Sequence, residues 1–157
     1  MSKTRQTVPE PKPEARAEPG RYRLAHPLRV RWAEADMQGV VFNAHYLAWF
    51  DIGITEYLRA LAGGDEQWLA ATFDRLYVVK STLEYRSPAR FDDALEISAR
   101  CIRIGRTSLE IGFAIQRAGQ VLVTGSNVYV HTIDTRPAAV PDDLRRRIER
   151  FENEPEA

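Results

Sequence analysis

Apolar positions recur along this chain with two periods, and the changes between them mark out its elements. Tyr46, Leu47, Phe50, Ile54, Tyr57, Leu58 and Leu61 fall on one face of a 3.6-residue repeat, so the spacing predicts a long amphipathic helix. Gly63-Gly64 ends it, because glycine lets a chain leave a helix through the left-handed region. Upstream, Leu28, Val30 and Trp32 alternate within Tyr22–Trp32, a predicted first strand whose Pro27 suits an edge or a bent start. Between strand and helix lies a short acidic turn holding Asp36 and Gly39. Beyond the glycines, Asp65–Arg75 predicts a short helix with Trp68, Leu69 and Phe73 on its inner side.

Two-residue alternation then takes over in Leu76–Tyr85, Ala94–Ile104, Thr107–Arg117 and Val121–Ile133, which predicts four strands. The tight links Ile104-Gly105-Arg106 and Ala118-Gly119-Gln120 join neighbours as antiparallel hairpins. Pro141-Asp142-Asp143 opens a last helix with Leu144, Ile148 and Phe151 as its apolar stripe. Its Arg145-Arg146-Arg147 run reads as a solvated face. One long helix and an antiparallel set of strands make an α+β layer architecture. Gly53 sits mid-helix, a placement that close approach to the sheet explains, since glycine there costs up to ~1 kcal/mol relative to alanine.

Composition bounds the rest. Residues 1–20 mix Pro, Glu and Lys with almost no bulky apolar side chains, so they are expected to form a disordered tail without a secretory leader's apolar core. A single domain is expected over 21–151, with 152–157 an acidic, fraying tail. The chain has 157 residues, 44% of them hydrophobic, which suits one core. Its 22 basic and 22 acidic residues create no overall field to attract nucleic acid or acidic membranes. No apolar run approaches the ~20 residues that cross a bilayer, and the lone Cys101 fits a reducing compartment. A cytoplasmic protein without nucleic-acid partners or membrane insertion is the expectation. No HExxH, paired CxxC, P-loop, GxGxxG or GxSxG motif occurs, so metal, nucleotide and serine-hydrolase readings have no support.

The candidate chemistry lies in RVRWAEADMQGVVFNAHYLAWFDIGITEYLR, from Arg29 to Arg59. A carboxylate, Asp36, precedes a helix start, where free N–H groups accept negative charge. The plainer reading makes Asp36 a turn residue bonded to backbone two residues on. The stretch resembles the active-site signature of hotdog-fold acyl-CoA thioesterases of the 4-hydroxybenzoyl-CoA thioesterase type, including the short-chain acyl-CoA branch linked to the Tol-Pal cluster. The likeness rests on Val30, Arg31, Asp36, Gly39, Val40, Val41, Ala44, Tyr46, Leu47, Phe50, Glu56, Leu58 and Arg59. It continues through VVKSTLEYRSPARFDDALEI and GRTSLEI to Ile133-Asp134.

The resemblance implies a long central helix wrapped by a curved, mainly antiparallel five-stranded sheet, in a homodimer or homotetramer with sites between subunits. It implies hydrolysis of an acyl-CoA with no cofactor beyond the coenzyme A of the substrate. The family's catalytic aspartate falls on Asp36, as nucleophile or general base, and the polarising amides on Asn43 and Ala44. Glu34 is a weaker substitute, and Asp51 and Glu56 are further helix carboxylates that fit a surface or dimer role. Gly39, Phe42, Tyr46 and Trp49, with Tyr77 and Val79 from a partner, are the implied substrate contacts. Arg106 and Thr107 match a loop that meets the nucleotide end. Arg90, with Arg86, Arg103 and Arg136, is a further candidate for the phosphates. Two departures stand out: Asn43 where the Tol-Pal branch often has histidine, His45 being roughly 200° further around the helix, and Ile54 where arginine is common. Two rivals share this architecture, an acyl-thioester hydratase or dehydratase and a non-catalytic acyl-CoA binder.

Overall fold

The computed structural model describes residues 22–154. Strand β1 (Leu24–Arg29) leads through a 3₁₀ turn (Trp32–Glu34) to helix α1 (His45–Ala62) and helix α2 (Glu66–Phe73). Strands β2 (Leu76–Tyr85), β3 (Ala94–Ile104), β4 (Ser108–Arg117) and β5 (Gln120–Ile133) follow, then a two-residue β6 (Arg136–Pro137) and helix α3 (Asp142–Asn153). The sheet order is β1-β3-β4-β5-β2, with β6 beside β5, and every pairing is antiparallel. Register shifts at Val78/Lys80, Cys101/Arg103 and Ile115/Gln116 interrupt the ladders. Such bulges bend a strand and increase its twist.

Helix α1 lies on this sheet. Trp49, Phe50, Tyr57 and Leu58 are fully buried against Ile97, Phe113 and Ile115, each large side chain contributing about 1.5–3 kcal/mol by leaving water. Phe50 stacks on Phe113 with ring centroids 4.6 Å apart. Gly53 makes that approach possible, since a Cβ there would stand 2.9 Å from the Phe113 ring and 3.1 Å from Ile97. Gly125 serves the same purpose on β5, where a Cβ would collide with the Thr82 carbonyl oxygen and the Phe50 ring.

Several expectations need correction. Trp32 leaves the first strand for the 3₁₀ turn and is 82% exposed. Phe73 is exposed, so only Trp68 and Leu69 of α2 face inward. Helix α3 runs to Asn153 rather than fraying from 152. There, Glu152 Oε1 accepts from the Tyr57 hydroxyl and from the Cys101 N–H, both at 2.6 Å. The arginine run is a solvated face only at the exposed Arg146: Arg145 donates to the Gly105 carbonyl at 2.9 Å, and Arg147 to the Leu61 and Ala62 carbonyls at 2.9 and 3.3 Å. The expected tail over 1–20, and residues 155–157, lie outside the described residues.

Candidate active site

Asp36 sits where the chain turns back between the 3₁₀ turn and α1. Its N–H donates to the Val40 carbonyl at 2.8 Å and its carbonyl accepts from Gly39 N–H at 3.0 Å. Gly39 holds φ +76°, a conformation that glycine adopts without strain. The Ala35–Val41 bridge closes this turn on itself, while the Val40–Arg90 bridge fastens it to the loop before β3, as does Val41 N–H donating to the Ala89 carbonyl. Asp36 Oδ1 accepts from the Gln38 N–H at 2.7 Å, so the plain turn reading accounts for one oxygen. Oδ2 has no partner among the described residues, and the side chain is half-buried.

The start of α1 is left open beside this turn. Its cap position is Ala44, which has no side-chain oxygen to offer, and not the neighbouring Asn43, a residue type that favours such a cap. His45 N–H reaches the Phe42 carbonyl at 3.0 Å, whereas the Asn43 and Ala44 N–H groups have no acceptor among the described residues. A cavity of about 230 Å³ opens here, lined by Val41, Asn43, Tyr46, Tyr85, Arg86 and Pro88 among others. Tyr85 holds its rim, donating its hydroxyl to the Asn43 carbonyl at 3.0 Å and packing edge-on against Tyr46 at 5.5 Å. Tyr85 belongs to the stretch VVKSTLEYRSPARFDDALEI that carries the likeness, but only the fold brings its hydroxyl to Asn43.

The other candidates divide between the two ends of the sheet. Arg90 lies at the Asp36 end. Arg106 and Thr107 lie at the opposite end, where their carbonyls accept from Val140 and His131 N–H. The eleven residues of β3 separate the two ends, roughly 35 Å at the usual strand rise. Tyr77 and Val79 are also far from Asp36, on the outer edge of β2, 52% and 62% exposed. Phe42 is half-exposed and packs edge-on to His45. Trp49 is 1% exposed, so it is a core residue rather than a pocket wall. Tyr46 is 2% exposed and its hydroxyl accepts from Ala89 N–H at 3.1 Å, leaving only its edge to the cavity. Glu56 is occupied by Arg59 at 3.4 Å. Burial raises the Asp51 carboxyl above its usual value.

The family model described as "Thioesterase superfamily" matches residues 38–124, more than half of the chain. The chain belongs to the thioesterase superfamily. Asp36 stands two residues before the matched span, whereas Gly39, Asn43, Ala44 and the whole of α1 lie inside it. The acyl-CoA thioester hydrolase YbgC of Escherichia coli O157:H7 is 35% identical over 121 residues, covering 75% of this chain and 90% of that one. The acyl-CoA thioesterase YbgC of Haemophilus influenzae is 28% identical over 126 residues, covering 78% and 91%. Among solved structures, a Thermus thermophilus thioesterase complexed with coenzyme A and zinc superposes with a TM-score of 0.77 at 24% identity, over 86% of this chain and 98% of its own. That likeness establishes the fold, which is the expected hotdog arrangement.

A thioesterase must supply an oxygen nucleophile and a cradle for carbonyl charge. Its leaving thiolate, with a pKa near that of Cys, departs without strong protonation. Burial, with Glu152 adding to it, pushes the Cys101 thiol up to about 12, which disfavours the thiolate, the reactive form. His131 is buried, with Nδ1 3.4 Å from the Ala138 carbonyl, a structural setting. No group of three His, Cys, Asp or Glu side chains suited to a metal occurs among the described residues. Nor is any described helix long and apolar enough to cross a membrane.

Proposed function

We propose that this thioesterase hydrolyses acyl-CoA thioesters, with Asp36 as nucleophile or general base and the Asn43 and Ala44 N–H groups holding the carbonyl oxygen. Two observations support the reading: among the described residues one Asp36 carboxylate oxygen has no partner, and seven residues on the Asn43 and Ala44 N–H groups have no acceptor at the start of α1. Removing one such donor typically costs 10²–10³-fold in kcat. In one route, Asp36 attacks the thioester carbon, expels the CoA thiolate and leaves an acyl-aspartyl anhydride that water opens to acid and carboxylate. In the other, Asp36 takes a proton from the water that attacks, and passes it on as the thiol leaves. The YbgC names support coenzyme A as the leaving group.

The working unit is a homodimer, alone or paired into a tetramer. Strand β2 is an unpaired sheet edge with Tyr77, Val78 and Val79 exposed, an arrangement that monomeric proteins avoid because it invites pairing. Antiparallel pairing of two such edges sets the start of one β2 beside the end of the other. The partner's Tyr77 and Val79 would then border the Asn43–Tyr85 cavity, and the partner's Arg106 would approach the CoA end.

A panel of short aliphatic, long aliphatic and aromatic acyl-CoAs tests the reading, with free thiol and enoyl hydration measured side by side. Thiol release from at least one class is expected, by a species of dimer mass or larger. Hydration without thiol release would replace the hydrolase with a hydratase. Binding without either reaction would make the protein an acyl-CoA binder.

A further inference from the structure

Glu34 stands two residues before Asp36, and both its carboxylate oxygens are engaged. Oε1 accepts from the indole Nε1–H of Trp49 at 3.0 Å, and Oε2 from the Arg31 N–H at 2.6 Å. Its own carbonyl accepts from Phe42 N–H at 3.0 Å. The first bond crosses from the acidic turn to α1, because Trp49 stands in the second turn of that helix. Trp49 cannot shift: it is 1% exposed and its ring packs edge-on against Tyr46 at 4.9 Å. Tyr46 is itself held by the Ala89 N–H. On the other side, the bonds to Arg31 and Phe42 bracket the segment that carries Asp36.

We propose that Glu34 is a positioning residue for the thioesterase reaction, a tether that fixes the Asp36 turn at a set distance from the open start of α1. The inference rests on the function proposed above and assigns Glu34 no contact with substrate. Half-buried and donated to twice, the carboxylate acts as a rigid spacer between two parts of the site that belong to different elements. Charge-assisted bonds of this kind are stronger and shorter than neutral ones. Catalysis is sensitive to their loss, since a misplacement of about 1 Å can cost 10²-fold. Of the other bonds of the turn, that from Asp36 to Val40 stays within it, and that from Val41 to Ala89 reaches α1 only through Ala89, whose N–H binds the Tyr46 hydroxyl; Glu34 bonds α1 directly.

The test uses the full chain and an acyl-CoA that the wild type hydrolyses. Glu34→Ala is expected to lower kcat roughly 10- to 100-fold with KM within about twofold. Glu34→Gln, which keeps an acceptor for the indole, is expected to recover most of that loss. Trp49→Phe is expected to lower kcat, and its effect should not multiply with that of Glu34→Ala, as for two ends of one contact. The indole N–H of Trp49 is followed by NMR in parallel, with a shift and faster exchange expected in Glu34→Ala. A kcat unchanged in Glu34→Ala, multiplying losses, or a fall in kcat explained by a matching fall in melting temperature would overturn the tether. A wild type silent on every acyl-CoA would sink the hydrolase reading instead. An indole signal indifferent to Glu34→Ala would sink the tether whether or not the enzyme is active.

Discussion

The two ends of α1 are built in opposite ways. At the C-terminal end every device for satisfying a helix terminus is present. Gly63 adopts a left-handed cap with φ 58°, and Asp65 N–H bonds the Ala62 carbonyl at 3.1 Å. Arg147 reaches across from α3 to the Leu61 and Ala62 carbonyls. The same guanidinium lies 4.4 Å from the Trp68 ring centroid and 3.1 Å from Asp143. At the N-terminal end the cap is alanine and offers no side-chain bond, and among the described residues the Asn43 and Ala44 N–H groups have no acceptor, with a cavity at Asn43. A serine or aspartate cap would add about 1 kcal/mol. The contrast separates the two ends: backbone carbonyls are satisfied where the helix is anchored, and backbone donors are left open at the end to which the proposed function gives the carbonyl charge.

Substitutions at each end should therefore move different observables. Short of removing the Asp36 carboxylate, the largest effect is expected from Asn43→Asp. A carboxylate there suits the positive helix end, worth about 0.3–1 kcal/mol, yet opposes an oxyanion on the same amides. Steady-state kinetics should show kcat down roughly 10²-fold or more, while the melting temperature holds or rises. At the other end, Arg147→Ala is expected to cost about 1–3 kcal/mol in a urea melt by taking the Arg147 donor from the Leu61 carbonyl, with kcat at saturating substrate unchanged. Midway, Gly53→Ala is expected to cost about 1–3 kcal/mol by forcing Phe113 aside, despite alanine's better helix propensity.

The smallest effect concerns acid stability beneath the site. Burial alone would raise the Asp93 carboxyl, but the Arg90 N–H and the Arg117 guanidinium at 2.7 Å outweigh it and hold the group below its usual value. A carboxyl lowered on folding stabilises the fold above its unfolded pKa of about 3.9, and that contribution is lost as pH falls through the folded value. In Arg117→Met the acid unfolding midpoint should move to higher pH. The wild-type midpoint retained in that variant would mean Asp93 does not anchor the loop.

Periodicity sufficed for α1 and for β2 to β5 because each has a single repeat over most of its length. The strands ended within one residue of their expected limits. What it could not supply was tertiary reach. Arg147 looks like any solvated arginine until α3 folds back over carbonyls 85 and 86 residues away. Trp49 has the spacing of either a pocket wall or a core residue, and only burial distinguishes them. The Arg106 turn carries a local motif that says nothing about which end of the sheet it occupies. Likewise, nothing in a linear pattern shows that Glu34 spends both oxygens on neighbours while one Asp36 oxygen has no partner among the described residues.

Thiol release by Asp36→Asn, compared with the wild type on an acyl-CoA that the wild type turns over, tests the central claim most directly. The account expects kcat to fall at least about 10³-fold, with melting temperature and oligomer mass unchanged. A variant that still turns over within tenfold of the wild type would contradict it.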